Sequence, residues 1–134
     1  MKKIILLFVL TLATTTLFAQ KEDARDAAII KLMNVKKGMV SVNSLANSMS
    51  KNMDTKQASS FKAEMKSYKS TLTKTAVTTF KKDYTAEEIN FIYNECTSDK
   101  INYSDLTNGF FSKWRRLKGE LYFSKAKQAY FKYQ

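Results

Sequence analysis

The chain has no histidine and no proline, one cysteine among 134 residues, and only three glycines. Without histidine, and with a single thiol, it cannot assemble a usual structural zinc site, a Ser-His-Asp triad or a Cys-His pair. A β-rich fold of this length needs many more Gly and Pro residues for its turns, so an all-α fold is expected. No Gly-rich phosphate loop is present, which argues against nucleotide binding by a backbone cradle, and no cofactor is expected. Cys96 has no partner for an intramolecular disulfide. It is either a buried small hydrophobe or a dimer crosslink, and its place in an apolar stripe favours burial.

What is present begins with an export signal. Lys2 and Lys3 precede a mostly apolar run from Ile4 to Leu12, and the segment closes on Leu17-Phe18-Ala19-Gln20, with cleavage expected after Ala19. A membrane anchor is the weaker alternative, because a span needs about 20 apolar residues and Thr11 and Thr14 to Thr16 interrupt this run. The expected organisation is a signal peptide at 1–19 and one all-helical domain at 20–134, a small bundle of about five helices. Its destination is the periplasm or the cell exterior. A mature chain of about 115 residues buries roughly 60 to 70% of its unfolded surface, enough for one core.

Removing Lys2 and Lys3 leaves 21 basic against 12 acidic residues, a charge of +9. In a cytosolic protein this would suggest nucleic acid; an exported one meets phospholipid head groups, lipopolysaccharide phosphates or anionic wall polymers instead, and no nucleic-acid partner is expected. A lysine-rich solvated surface is the simpler account of the same charge.

The apolar periodicity outlines the helices. Glu22 and Asp23 suit a helix start, Ala24, Ala27, Ala28, Ile30 and Leu32 continue it to about Val35, and Lys36, Lys37 and Gly38 supply stop chemistry. Met39, Val42, Ala46, Met49 and Met53 form one stripe on a second helix, better suited to core filling than to a binding groove. Asp54 with Gln57 reads as a capping box. From there Ala58, Phe61, Met65, Tyr68, Leu72, Ala76 and Phe80 predict a long central helix, despite the β-branched threonines between Ser70 and Thr79.

Lys81 and Lys82 end that helix, and Thr85-Ala86-Glu87-Glu88 reads as a second capping box, with Tyr84 and Ile89 as a hydrophobic staple. Ile89, Ile92, Tyr93 and Cys96 line the buried face of the next helix. The combination of Phe80, Tyr84, Thr85, Glu87, Glu88, Ile89, Tyr93 and Ser98 resembles the core signature of the secreted bacterial family catalogued as domain of unknown function 2059. The resemblance is strongest over residues 76–100 and elsewhere extends to helix order. It implies an exported all-helical domain and brings no catalytic residues. The chain departs from the family pattern after Ser98: the family usually follows its Ser with a Pro and a Gly before a Lys, whereas Ser98-Asp99-Lys100 continues without either, so a different turn is expected there.

A last helix carries Tyr103, Leu106, Phe110, Trp114, Leu117 and Leu121, with Gly109 and Gly119 inside it as points of close contact or bending. The tail from Tyr122 to Gln134 interleaves Phe123, Tyr130, Phe131 and Tyr133 with lysines. It is expected to pack its aromatics on the domain; the alternative is contact with a membrane surface or an anionic polymer. The candidate residues for that contact are Lys113, Arg115, Arg116, Lys118, Lys125, Lys127 and Lys132.

The remaining catalytic option is a carboxylate pair drawn from Asp83, Glu87, Glu88 and Glu95, as in glycan cleavage, but the cap and the helix dipole account for Glu88 and Glu87. The reading is therefore an exported envelope protein acting by binding or structural interaction, without catalytic or metal-ligating residues, its partner an envelope protein or an anionic envelope polymer. A peripheral membrane contact through the basic aromatic tail is the alternative, and a carboxylate-dependent glycan hydrolase the more remote one.

Overall fold

The computed structural model of the chain describes residues 24–35 and 39–134. The signal at 1–19, the acidic pair Glu22 and Asp23, and the stop at Lys36, Lys37 and Gly38 lie outside them. Among the described residues the fold is all-α, with no strand. Helix α1 covers residues 24–33, α2 Val40–Met49, α3 Thr55–Asp83 and α4 Ala86–Thr97. Asp105–Lys118 (α5), the π-turn Gly119–Phe123 and Ser124–Lys132 (α6) follow one another without a break, so they form one rod and the fold has five helical rods. No described helix is long and apolar enough to cross a membrane.

The central helix is α3, and α2, α5, the π-turn and α6 pack against it. Both capping boxes form. The Asp54 carboxylate accepts from the Gln57 amide at 2.8 Å while the Gln57 side chain accepts from the Asp54 amide at 3.2 Å, and Thr85 and Glu88 do the same at 3.1 and 3.0 Å. Each box satisfies helix-end donors that have no intrahelical acceptor. The threonine-rich half of α3 stays helical because Leu72, Ala76 and Phe80 are buried there, and that burial outweighs the few tenths of a kcal/mol lost per β-branched residue.

The core gathers Ile29, Leu32 and Met33 of α1 and Phe61, Met65, Leu72, Ala76 and Phe80 of α3 with Ile89, Ile92 and Cys96 of α4. Phe80 is its aromatic centre. The ring lies 4.2 Å from Phe110 and 6.4 Å from Trp114 between centroids, and Tyr84 meets both Phe80 and Phe110. Cys96 is buried, as its stripe suggests.

The C-terminal rod departs from the expected register. Its buried stripe runs Phe110, Trp114, Leu117, then jumps five residues to Tyr122 and continues through Ala126 and Ala129, leaving Leu121 only half-buried. The π-turn is the cause: its extra residue holds the stripe on the core side where an uninterrupted α-helix would have rotated Tyr122 by about 100°. Tyr122 is thereby buried, and its hydroxyl donates to the Val42 carbonyl of α2 at 2.8 Å.

The tail packs onto the domain. Tyr133 meets Phe61 edge-on at 6.2 Å, and its hydroxyl donates to Glu64 Oε2 at 2.8 Å, while Tyr68 donates to Glu64 Oε1 at 2.7 Å. Phe131 is the tail aromatic that remains exposed, at 66%.

Candidate functional site

The four carboxylates considered for catalysis fall in separate structural roles. Asp83 pairs with Lys113 at 2.6 Å. Glu88 closes the α4 capping box. Glu95, only 5% exposed, lies near the end of α4 and accepts the backbone N–H of Ser104, the residue that caps α5. That hydrogen bond, helped by the Ser104 and Thr107 hydroxyls and by Lys100 and opposed by desolvation, holds the Glu95 carboxyl below its ordinary pKa. A group so stabilised as the anion is a poor general acid.

Glu87 is the fourth, exposed on the first turn of α4 beside a cleft of about 500 Å³. The cleft opens between α1 and α4 and is lined by Ala24, Arg25, Ala28, Ala86, Glu87 and Ile89. Among these lining residues Glu87 is the single carboxylate, whereas glycoside cleavage by the two-carboxylate route needs a second about 5 to 10 Å away. No group of three or more metal-ligating side chains occurs among the described residues.

Arg25, which the periodicity of α1 does not single out, has the most specific polar role in this region. Its guanidinium donates to the carbonyl oxygens of Lys81 and Tyr84, each at 2.6 Å. These carbonyls lie at the C-terminus of α3, where backbone acceptors lack intrahelical donors and the dipole favours a cation. Asp26 beside it pairs with Lys81 at 2.9 Å. The start of α1 is thus tied to the α3–α4 corner through Arg25 Nη2, while the buried Nε of the same guanidinium has no hydrogen-bond partner among the described residues. The sequence signal was an arginine in the first turn of an apolar helix, which does not name acceptors 56 and 59 residues away.

Of the seven basic candidates, Lys113 and Arg116 line one shallow cleft with Gly109 and Ser112, and three of the seven are engaged within the domain. Lys113 is held by Asp83 and sits 5.6 Å from the Tyr84 ring centre. Lys118 lies 5.4 Å over the Trp114 ring, where burial, with Arg115 nearby, pushes its pKa down. Lys132 pairs with Glu64 at 3.3 Å, and that contact raises its pKa. Arg115, Arg116, Lys125 and Lys127 are exposed and belong to no ion pair among the described residues. At about 100° per residue Lys113 and Arg115 point to nearly opposite sides of the rod.

Comparison with known protein families, with curated proteins and with solved structures gave no match.

Proposed function

We propose that the protein is an exported, non-enzymatic binding module of the bacterial cell envelope, in keeping with its resemblance to domain of unknown function 2059. The observation that carries this reading is the division of charge on the surface. Asp26, Glu64, Asp83, Glu88 and Glu95 are each engaged by an intramolecular cation, amide or hydroxyl, while exposed lysines and arginines on α3 and on the C-terminal rod have no such partner among the described residues. Glu87, Asp99, Asp105 and Glu120 are exposed and in no ion pair among the described residues, but the exposed lysines and arginines without an ion pair outnumber them, and a surface with that excess suits an anionic envelope component. The export signal read at residues 1–19 supplies the compartment.

The test incubates purified protein with isolated envelope polymer. Retention that is reversed by salt, with no soluble fragments released, is the expected result; release of glycan fragments that stops in Glu87→Gln while the fold persists would replace this reading with the hydrolase.

A second reading, peripheral membrane contact through the tail, draws on the exposed ring of Phe131 four residues beyond Lys127. Tyr122, Ala126 and Ala129 are core residues, so deleting 122–134 would unfold the domain; Phe131→Ser combined with Lys125→Gln and Lys127→Gln is the usable probe. Loss of cosedimentation with anionic vesicles in that variant would support membrane contact.

A further inference from the structure

A second set of exposed, unpaired cations stands apart from those on the C-terminal rod. Helix α3 carries Lys62, Lys66, Ser70, Lys74, Thr78 and Lys82 at successive intervals of four residues, and all six are exposed. Residues at i and i+4 are surface neighbours on a helix, so these side chains form one continuous ridge, which turns about 40° per step and winds about 200° across the exposed side of α3 from Lys62 to Lys82. At 1.5 Å per residue the steps are about 6 Å and the ridge runs about 30 Å along the axis.

Its electrostatic setting is one-sided. The carboxylates on or beside α3 are taken by cations outside the ridge: Asp26 by Lys81, Glu64 by Lys132, and Asp83 by Lys113. None of the four ridge lysines is in an ion pair among the described residues. Lys62 and Lys66 stand at i and i+4 as like charges, an unfavourable arrangement on a helix that a bound anion would relieve. The ridge has little apolar border: Ile30 and Val77 line a shallow cleft beside Lys74 and Thr78, while the other exposed large hydrophobic residues, Phe91, Ile101 and Phe131, lie on other elements. A helix that docks on a lipid surface needs an apolar face to insert, and a binder of single-stranded nucleic acid uses aromatic platforms. A line of flexible ammonium groups interleaved with small hydroxyl side chains suits an extended chain of repeating anionic groups instead, held by charge and counterion release.

We propose that the ridge Lys62-Lys66-Ser70-Lys74-Thr78-Lys82 is the binding site for a soluble, linear, phosphate-bearing polymer of the envelope. This rests on the binding-module reading above, and it moves the site from the C-terminal rod to α3.

The experiment measures binding of the purified chain to fluorescently labelled long-chain inorganic polyphosphate across a salt series. Replacing Lys62, Lys66, Lys74 and Lys82 by Gln is expected to weaken binding at least tenfold and to lower the slope of log affinity against log salt by roughly 3, at about 0.7 to 0.9 per lost phosphate contact. Replacing Arg115, Arg116, Lys125 and Lys127 by Gln is expected to change affinity less than threefold. Lys→Arg at the four ridge positions keeps the charge and is expected to keep binding. Circular dichroism melts establish that each variant is folded, and the half-variants Lys62→Gln/Lys66→Gln and Lys74→Gln/Lys82→Gln provide the same reading with less perturbation. Equal losses from the ridge and rod variants, or no polyphosphate binding at low salt, would overturn the proposal; the second result would leave the binding-module reading to be judged on a protein partner. Ridge-dependent cosedimentation with phosphatidylglycerol vesicles as tight as polyphosphate binding would overturn it in favour of a membrane surface.

Discussion

At the scale of single residues, two side chains join distant parts of the fold through backbone carbonyls. Arg25 satisfies two acceptors at the end of α3, and hydrogen bonds from a charged donor contribute about 1.5 to 3 kcal/mol. Arg25→Ala should lower stability by about that much in urea denaturation, and Arg25→Lys should recover only part of it, because the ammonium sits on a shorter, more flexible stem than the Nη2 nitrogen that donates to both oxygens. Tyr122→Phe removes one buried hydrogen bond to Val42 while keeping the ring, and about 1 kcal/mol is the expected loss. Neither residue stood out in the sequence. A first-turn arginine and a tail tyrosine are identified by their acceptors, and those lie 56, 59 and 80 residues away. The two capping boxes, by contrast, were legible at once, since donor and acceptor are three residues apart.

At the scale of elements, the periodicity of α3 predicted its buried face closely, from Phe61 through Phe80, because one uninterrupted helix carries one uninterrupted stripe. The C-terminal rod was legible only as far as Leu117. Beyond it the expected partner Leu121 gives way to Tyr122, and the signal was present in the tail: starting from Tyr122, steps of four and three reach Ala126 and Ala129, whereas starting from Leu121 they reach Lys125 and Gln128. A π-turn breaks the assumption of constant rotation on which such counting depends. It also makes an unusual prediction. Deleting the exposed Glu120 should convert the π-turn into an α-turn and keep Tyr122, Ala126 and Ala129 on the core side, so thermal stability should change by no more than a few degrees. Deleting the equally exposed Thr71 from α3 should unfold the protein, because every core residue on one side of it would turn by about 100°.

At the scale of the whole molecule, the fold depends on carboxylates being ionised. Tyr68, first, and Tyr133, with Lys132, hold Glu64 below its ordinary pKa, and Ser104 does the same for Glu95. A depressed carboxyl pKa stabilises the fold above the unfolded value of about 4.3, and that contribution is lost as the pH falls through the folded value. Stability measured by urea midpoint should therefore be flat near neutrality and fall below about pH 4.3, with a shallower acid decline in Glu64→Gln and Glu95→Gln. The all-helical class and the single core were readable from composition and stripe; the distribution of positive charge was not. Counting lysines pointed to the tail. Which of them is engaged internally depends on where Glu64, Asp83 and Asp26 end up in three dimensions, and those pairings leave unpaired cations on α3 as well as on the C-terminal rod.

The contact between Tyr122 and Val42 also bears on time. A chain made from its N-terminus presents the Val42 carbonyl long before Tyr122 exists, and Glu64 likewise waits 69 residues for Tyr133. Residues 122–134 are the ones that latch both α2 and α3, so neither tie can form until that segment has been made.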